Sequence, residues 1–194
     1  DNNITNNTIF TETTNGYGSY SYRSHRNLFS KNRITTKGAT SPGLYFTGRS
    51  NTNSVLSNII NTTGASSKSI QLDTSLSNII SHNIIYAPGS SSRGIDLTSS
   101  NSSTIFNNTI NPVNNGMVIS SSVLNNISNN TLNTSADGIV FIGGQQNIVD
   151  FNSINSNSLS DSIDIYLNNK MNKQYLYSFQ HYLIFILFDW IKIF

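Results

Sequence analysis

An eight-residue pattern, Asn-x-h-x-x-Asn-x-h with h apolar, recurs from one end of this chain to the other. It reads Asn2, Ile4, Asn7, Ile9, then Asn27, Phe29, Asn32, Ile34, then Asn53, Val55, Asn58, Ile60. It continues at Asn78, Ile80, Asn83, Ile85 and at Ser103, Ile105, Asn108, Ile110, where Ser stands for the first Asn. Copies follow at Asn125, Ile127, Asn130, Leu132 and at Asn147, Val149, Asn152, Ile154, with a worn copy at Asn169, Met171, Gln174, Leu176. The second Asn positions, with Gln174 as the last, are 25, 26, 25, 25, 22, 22 and 22 residues apart. Self-similarity at a period of this size marks a solenoid.

A second apolar pair follows in each period: Leu44 and Phe46, Ile70 and Leu72, Ile95 and Leu97, Met117 and Ile119, Ile139 and Phe141, Ile163 and Ile165. The spacing of two is the strand period. Ile, Val, Phe and Thr suit strands, and the Asn, Ser, Thr and Gly between them suit turns. The chain therefore reads as all-β, one right-handed parallel β-helix of about eight coils over residues 1–176. Stacked at the strand spacing, eight coils would be about 35–40 Å long. In the first coil Tyr20 and Tyr22 stand one residue out of step with the other apolar pairs, which predicts a bulge or a looser wall. The drop from 25 to 22 residues predicts one smaller loop per coil in the C-terminal half.

The Asn residues are expected to form vertical ladders, since an amide carries donors and an acceptor and can bond the next amide above it. The main ladder is Asn7, Asn32, Asn58, Asn83, Asn108, Asn130, Asn152. Asn also tolerates the left-handed backbone of a tight corner. A polar binding stripe is the weaker reading of the same residues.

Composition excludes several functions. Only 10% of residues are charged, well below the usual share. The net charge of +2 comes from the tail, where Lys170, Lys173 and Lys192 face Asp189. Arg23, Arg26, Lys31, Arg33 and Lys37 share one coil, without the motif or aromatic platform of a nucleic-acid site, so no nucleic-acid partner is expected. The absence of cysteine excludes disulfides and thiolate metal sites. Neither a metal site nor a cofactor motif is read from the spacing. The sequons at Asn61, Asn101 and Asn133 are accounted for by chance in a chain this rich in Asn, Ser and Thr. The chain starts inside a repeat at Asp1, which reads as a fragment of a longer protein. Residues 177–194 form a hydrophobic tail, Tyr182 to Phe188 being its most apolar run. It reads as a cap over the core, ahead of a truncated membrane anchor or an unnatural end; it is short for a span and broken by Asp189 and Lys192. Membrane contact is expected only through such an anchor or one elsewhere in the parent protein.

On the ladder pattern, residues 2–176 resemble right-handed parallel β-helix repeat proteins of pectate-lyase-like architecture. The Asn- and Thr-rich, charge-poor style is similar to adhesin-like surface proteins of methanogenic archaea. That resemblance implies export, an extracellular or cell-surface location, and contact with polysaccharide or cell-surface glycans.

Enzymes share this scaffold. Pectin hydrolases of the architecture carry clustered aspartates, Gly-His-Gly and a basic-aliphatic-Lys motif, and none occurs here. Lyases need an acidic calcium cluster, and the acids here are scattered. The weak catalytic candidates are Arg93 with Asp96, joined by Asp73 one coil below, all expected on an outer wall. A surface ion pair is the plainer reading. His25, His82 and His181 form no triad or metal spacing. Surface binding positions are Tyr45 and Gln71 on adjacent coils, and Ile59 stacked with Ile84. The function expected is structural or adhesive, with a segment of a polysaccharide lyase or glycoside hydrolase as the alternative.

Overall fold

Short apolar pairs separated by corner residues can bury their inner side chains only if successive coils pile up in register. The protein does this. A computed structural model describes residues 1–156 and the two-residue strand Leu176–Tyr177. Each full coil has three strands; in the fourth they are Ile79–Ser81, Ile84–Ala87 and Arg93–Thr98. Strands in the first position make sheet 1, with eight strands; the second and third positions make sheet 2, with seven, and sheet 3, with six. All neighbours within each sheet are parallel. The result is a right-handed parallel β-helix.

Among the described residues six coils carry all three strands, and a seventh carries two, Ile148–Asp150 and Ser153–Ser156. The expected eighth copy is in a different register. Leu176 pairs with Val149 in sheet 1, whereas the repeat placed Met171 there and Leu176 over Ile154. Met171 and residues 178–194, with the tail and its expected cap, lie outside the described residues, as do Ile163 and Ile165.

The core is one continuous cluster. Phe29, Val55, Ile80, Ile105 and Ile127 form the inner row of sheet 1; Ile34, Ile60, Ile85, Ile110 and Leu132 form that of sheet 2. Sheet 3 adds the pairs from Leu44 and Phe46 to Ile139 and Phe141. Ile4, Ile9, Val149 and Ile154 are partly buried against the two ends. Phe29 meets Phe46 edge to face at 5.2 Å.

The second Asn ladder is continuous from Asn7 to Asn152. The backbone N–H and Nδ2 of Asn58 both donate to Asn83 Oδ1, at 2.9 and 3.0 Å, and Asn83 repeats this toward Asn108. Nδ2 of Asn83 also donates to the Val55 carbonyl one coil back. Each buried amide thereby satisfies its own groups and the orphan groups of the corner. The ladder residues do not themselves take the left-handed conformation, contrary to expectation. That falls to the residue before each: Asn6, Lys31, Ser57, His82, Asn107, Asn129 and Phe151. The preceding residue makes the bend, and the Asn side chain can then turn inward to the ladder.

The first ladder, from Asn2 to Asn147, has one fault. Ser103 is too short to return what an amide would, and buried Asn78 Nδ2 has no hydrogen-bond partner. Two serine ladders escaped the sequence reading. Ser41, Ser67 and Ser92 stack at the corner from sheet 2 to sheet 3, each N–H donating to the next Oγ. Ser24 and Ser50, then Ser75, Ser100 and Ser122, do the same at the corner from sheet 3 to sheet 1.

The change of period is local. Ile85 pairs with Ile110 but Ile95 pairs with Met117, so the missing residues come from the corner from sheet 2 to sheet 3. The first coil shows no bulge. Ser19 pairs with Leu44, Tyr20 with Tyr45, Ser21 with Phe46 and Tyr22 with Thr47. The serines take the inner positions, and both tyrosines face outward.

Candidate functional site

Alternation in sheet 3 puts one residue of each strand in an outer row between the two core positions. In coil order the row is Tyr20, Tyr45, Gln71, Asp96, Val118, Val140. Parallel in-register pairing makes each of these residues the neighbour of the next. Aromatic residues at its start therefore collect into a patch.

Tyr17, in the turn before the first strand of the sheet, completes that patch. Ring centroids are 5.3 Å apart for Tyr17 and Tyr20, 5.7 Å for Tyr17 and Tyr45, and 5.5 Å for Tyr20 and Tyr45. Tyr17 is 40% exposed and Tyr20 52%. These separations are those of favourable aromatic packing. The cluster holds itself in place, with Tyr17 and Tyr20 exposed and Tyr45 half-buried beneath them. Tyr22 stands beside it, 53% exposed. The Tyr45 hydroxyl donates to Asp73 Oδ2 over a long 3.4 Å. Burial pushes this hydroxyl above the ordinary tyrosine range; a hydrogen bond with Thr47 opposes the shift, and the charge of Asp73 adds to it.

The proposed trio of Arg93, Asp96 and Asp73 is only partly assembled. Arg93 Nη1 donates to Asp96 Oδ2 at 2.6 Å, and Thr98 Oγ1 to Asp96 Oδ1 at 3.3 Å. Asp96 points away from the core as expected, yet it is 2% exposed, so this is no exposed surface pair. A buried carboxylate needs such a partner. The residue beside Asp96 in the coil below is Gln71, and Asp73 pairs with Thr98 instead. Asp73 thus turns to the tyrosines rather than to Arg93.

Ile59 and Ile84 are neighbours, but on sheet 2. With Arg33, Thr35, Asn61 and Tyr86 they line a shallow depression. Tyr45 and Gln71 therefore lie on one wall, Ile59 and Ile84 on another. His25 Nδ1 accepts the Asn51 N–H, while His82 contacts Asn107 and the Phe106 ring in a different corner. Among the described residues no three His, Cys, Asp or Glu side chains gather where they could hold a metal ion.

The sequence reading passed over Tyr17, Tyr20 and Tyr22 as binding residues. The signal was present: Tyr20 lies 25 residues before Tyr45, one full period.

Comparison with known proteins bears on the fold. The periplasmic alginate epimerase AlgG is similar in structure, with a TM-score of 0.55 at 16% identity over 79% of this chain and 46% of that one. A point mutant of the same enzyme gives 0.52 at 17% identity, covering 78% and 43%. The chain thus spans less than half the length of these structures, and identity this low speaks for the shared fold alone. No curated protein matches. A family model described as "Periplasmic copper-binding protein (NosD)" matches residues 59–182. That match takes in three of the six complete coils, two of the three strands of the coil before them, the seventh coil and part of the tail, well over half of the sequence, and the chain belongs to this NosD family.

Proposed function

We propose that this protein is an exported β-helix with an adhesive or structural role, and that it holds polysaccharide against the outer wall of sheet 3. The observation that carries the reading is the cluster of Tyr17, Tyr20 and Tyr45, two of its three rings exposed. Sugar rings present flat C–H faces that pack on aromatic rings, and tyrosine offers area with little side-chain entropy to lose. A rigid solenoid holds such a face without rearrangement, and repeated weak contacts along one chain add up. The periplasmic setting named for both the family and AlgG supports export. A cell-surface location like that of adhesin-like proteins follows from the same reading.

Copper is part of the family's description, and the described residues do not suit it. His25 and His82 lie in separate corners with amide partners, the chain has no cysteine, and Met117 is buried in the core. Copper sites draw on converging imidazole and sulfur ligands. No step is therefore assigned to the metal.

A polysaccharide-modifying enzyme is the second reading, favoured by one observation: Asp96, buried on an outer wall and bonded to Arg93. In the wall reading the pair is structural. An ultraviolet assay for unsaturated uronide products tests the lyase form of this reading and a reducing-sugar assay the hydrolase form; either product, lost in Asp96→Ala, would establish the enzyme.

Gel electrophoresis of the full chain through a panel of neutral and acidic polysaccharides tests the binding wall. Retardation is expected, weakened about fivefold or more in Tyr20→Ala and Tyr45→Ala, because interface tyrosines commonly carry over 1 kcal/mol. Unretarded migration in every polysaccharide, or variants that bind like the parent, would refute it.

A further inference from the structure

Two arginines flank the tyrosine wall in the same two coils that carry it. Arg23 and Arg49 both have left-handed backbone, φ 50° and 69°. Each immediately precedes a stacked serine of the corner from sheet 3 to sheet 1, and Ser24 N–H donates to Ser50 Oγ. They hold the same corner position in coils one and two. In the following coils that position is Thr74, Ser99 and Ser121. The arginines are exposed, and no acidic side chain pairs with either among the described residues: the ion pairs there are Arg26 with Asp1, Lys37 with Glu12, and Arg93 with Asp96.

Tyr22 joins the arginines to the wall. Its ring lies over the backbone of Gly48, where an added Cβ would collide with the ring edge. Gly48 itself is left-handed, φ 63°. The Arg23 guanidinium carbon is 5.1 Å from the Tyr22 ring centroid, a cation–π distance. The charge balance of the face follows. Asp96 is compensated by Arg93; Asp73, bonded to the neutral Tyr45 hydroxyl, keeps its charge, and Arg23 and Arg49 outnumber it. Two cations against one carboxylate at the rim of an aromatic wall favour an anion whose carrier can stack. Guanidinium forks match carboxylate and sulfate groups with two parallel hydrogen bonds.

We infer that the first two coils form an anion-binding subsite, in which Tyr20, Tyr45 and Tyr22 stack on the sugars of an acidic polysaccharide while Arg23 and Arg49 bind its carboxylate or sulfate groups. The inference rests on the proposed binding wall and adds the charge class of its ligand. Binding should weaken steeply with salt, because both arginines are exposed and screened.

The test uses one backbone with three charges: dextran, carboxymethyl dextran and dextran sulfate, each titrated against the full chain and its Arg23→Gln/Arg49→Gln double variant. Both positions are exposed, so the double variant should melt like the parent. The expected result is binding of an acidic dextran at least ten times tighter than of dextran. The double variant should lose that gain and keep the neutral affinity. The tighter of the two acidic forms identifies carboxylate or sulfate as the preferred group. Equal affinity for all three, or a double variant that keeps the preference, overturns the subsite and leaves the wall standing. No binding to any of the three by the parent overturns the subsite, and the wall falls with it only if the full polysaccharide panel is also unbound.

Discussion

At the scale of the residue, the amide ladders show how polar side chains can be buried almost to the last atom. Asn83 illustrates it, with its N–H and Nδ2 on Asn108 Oδ1, Nδ2 also on the Val55 carbonyl, and its own Oδ1 receiving Asn58. Asn83→Ala should cost about 1–3 kcal/mol or more, because it strands partners above and below; urea denaturation reads this as a lower midpoint. Ser103 is the converse. Ser103→Asn supplies the acceptor that Asn78 Nδ2 lacks and should raise stability by about 1 kcal/mol, seen as a higher melting temperature. Tyr45 gives a pH prediction. Its hydroxyl pKa is raised in the folded state, so its contribution is whole below the ordinary tyrosine range. That contribution fades as pH climbs from the unfolded value through the folded one. The parent should therefore lose slightly more stability than Tyr45→Phe between those limits in alkaline melts; parallel curves would contradict it.

At the scale of the element, corners rather than strands carry the constraints. Gly38, Gly64 and Gly89 stack so closely at the corner from sheet 2 to sheet 3 that a Cβ on Gly64 would overlap the Gly38 carbonyl oxygen. Both contacts are backbone, so neither side can swing away. Gly64→Ala should cost about 2–3 kcal/mol, like other overpacked sites, and lower the melting temperature. The same corner is where three residues drop out after Asn108, and with them the serine ladder that ends at Ser92. The strands on either side keep their register across the change. A coil can shorten at a corner because only the strands must align; a one-residue slip inside a strand would turn its core side chains outward.

At the scale of the whole molecule, stability is close to a sum of coils and their contacts with the next. Removal of residues 78–102, one 25-residue period, should leave a folded β-helix with the same circular-dichroism signature and a lower melting temperature. Tyr17, Tyr20, Tyr45 and both corner arginines are untouched by that deletion. Polysaccharide binding should survive it. A folded deletion variant that no longer binds would move the site away from the first coils.

The repeat alone was enough to reveal the β-helix, both inner rows of sheets 1 and 2, the paired inner rows of sheet 3 after the first coil, and the Asn ladder from Asn7 to Asn152. Periodicity states these directly, since equal spacing and in-register stacking are the same fact seen in one and three dimensions. Tertiary structure decided what periodicity leaves open. Ser19 and Ser21 face inward in the first coil because sheet pairing with Leu44 and Phe46 outweighs side-chain hydrophobicity there. Asp96 is buried and Asp73 turns to Tyr45 because packing across coils, not order along the chain, chooses a side chain's neighbours. The tyrosine wall is the sum of such choices: its residues are scattered in the sequence and become a surface only when the coils close.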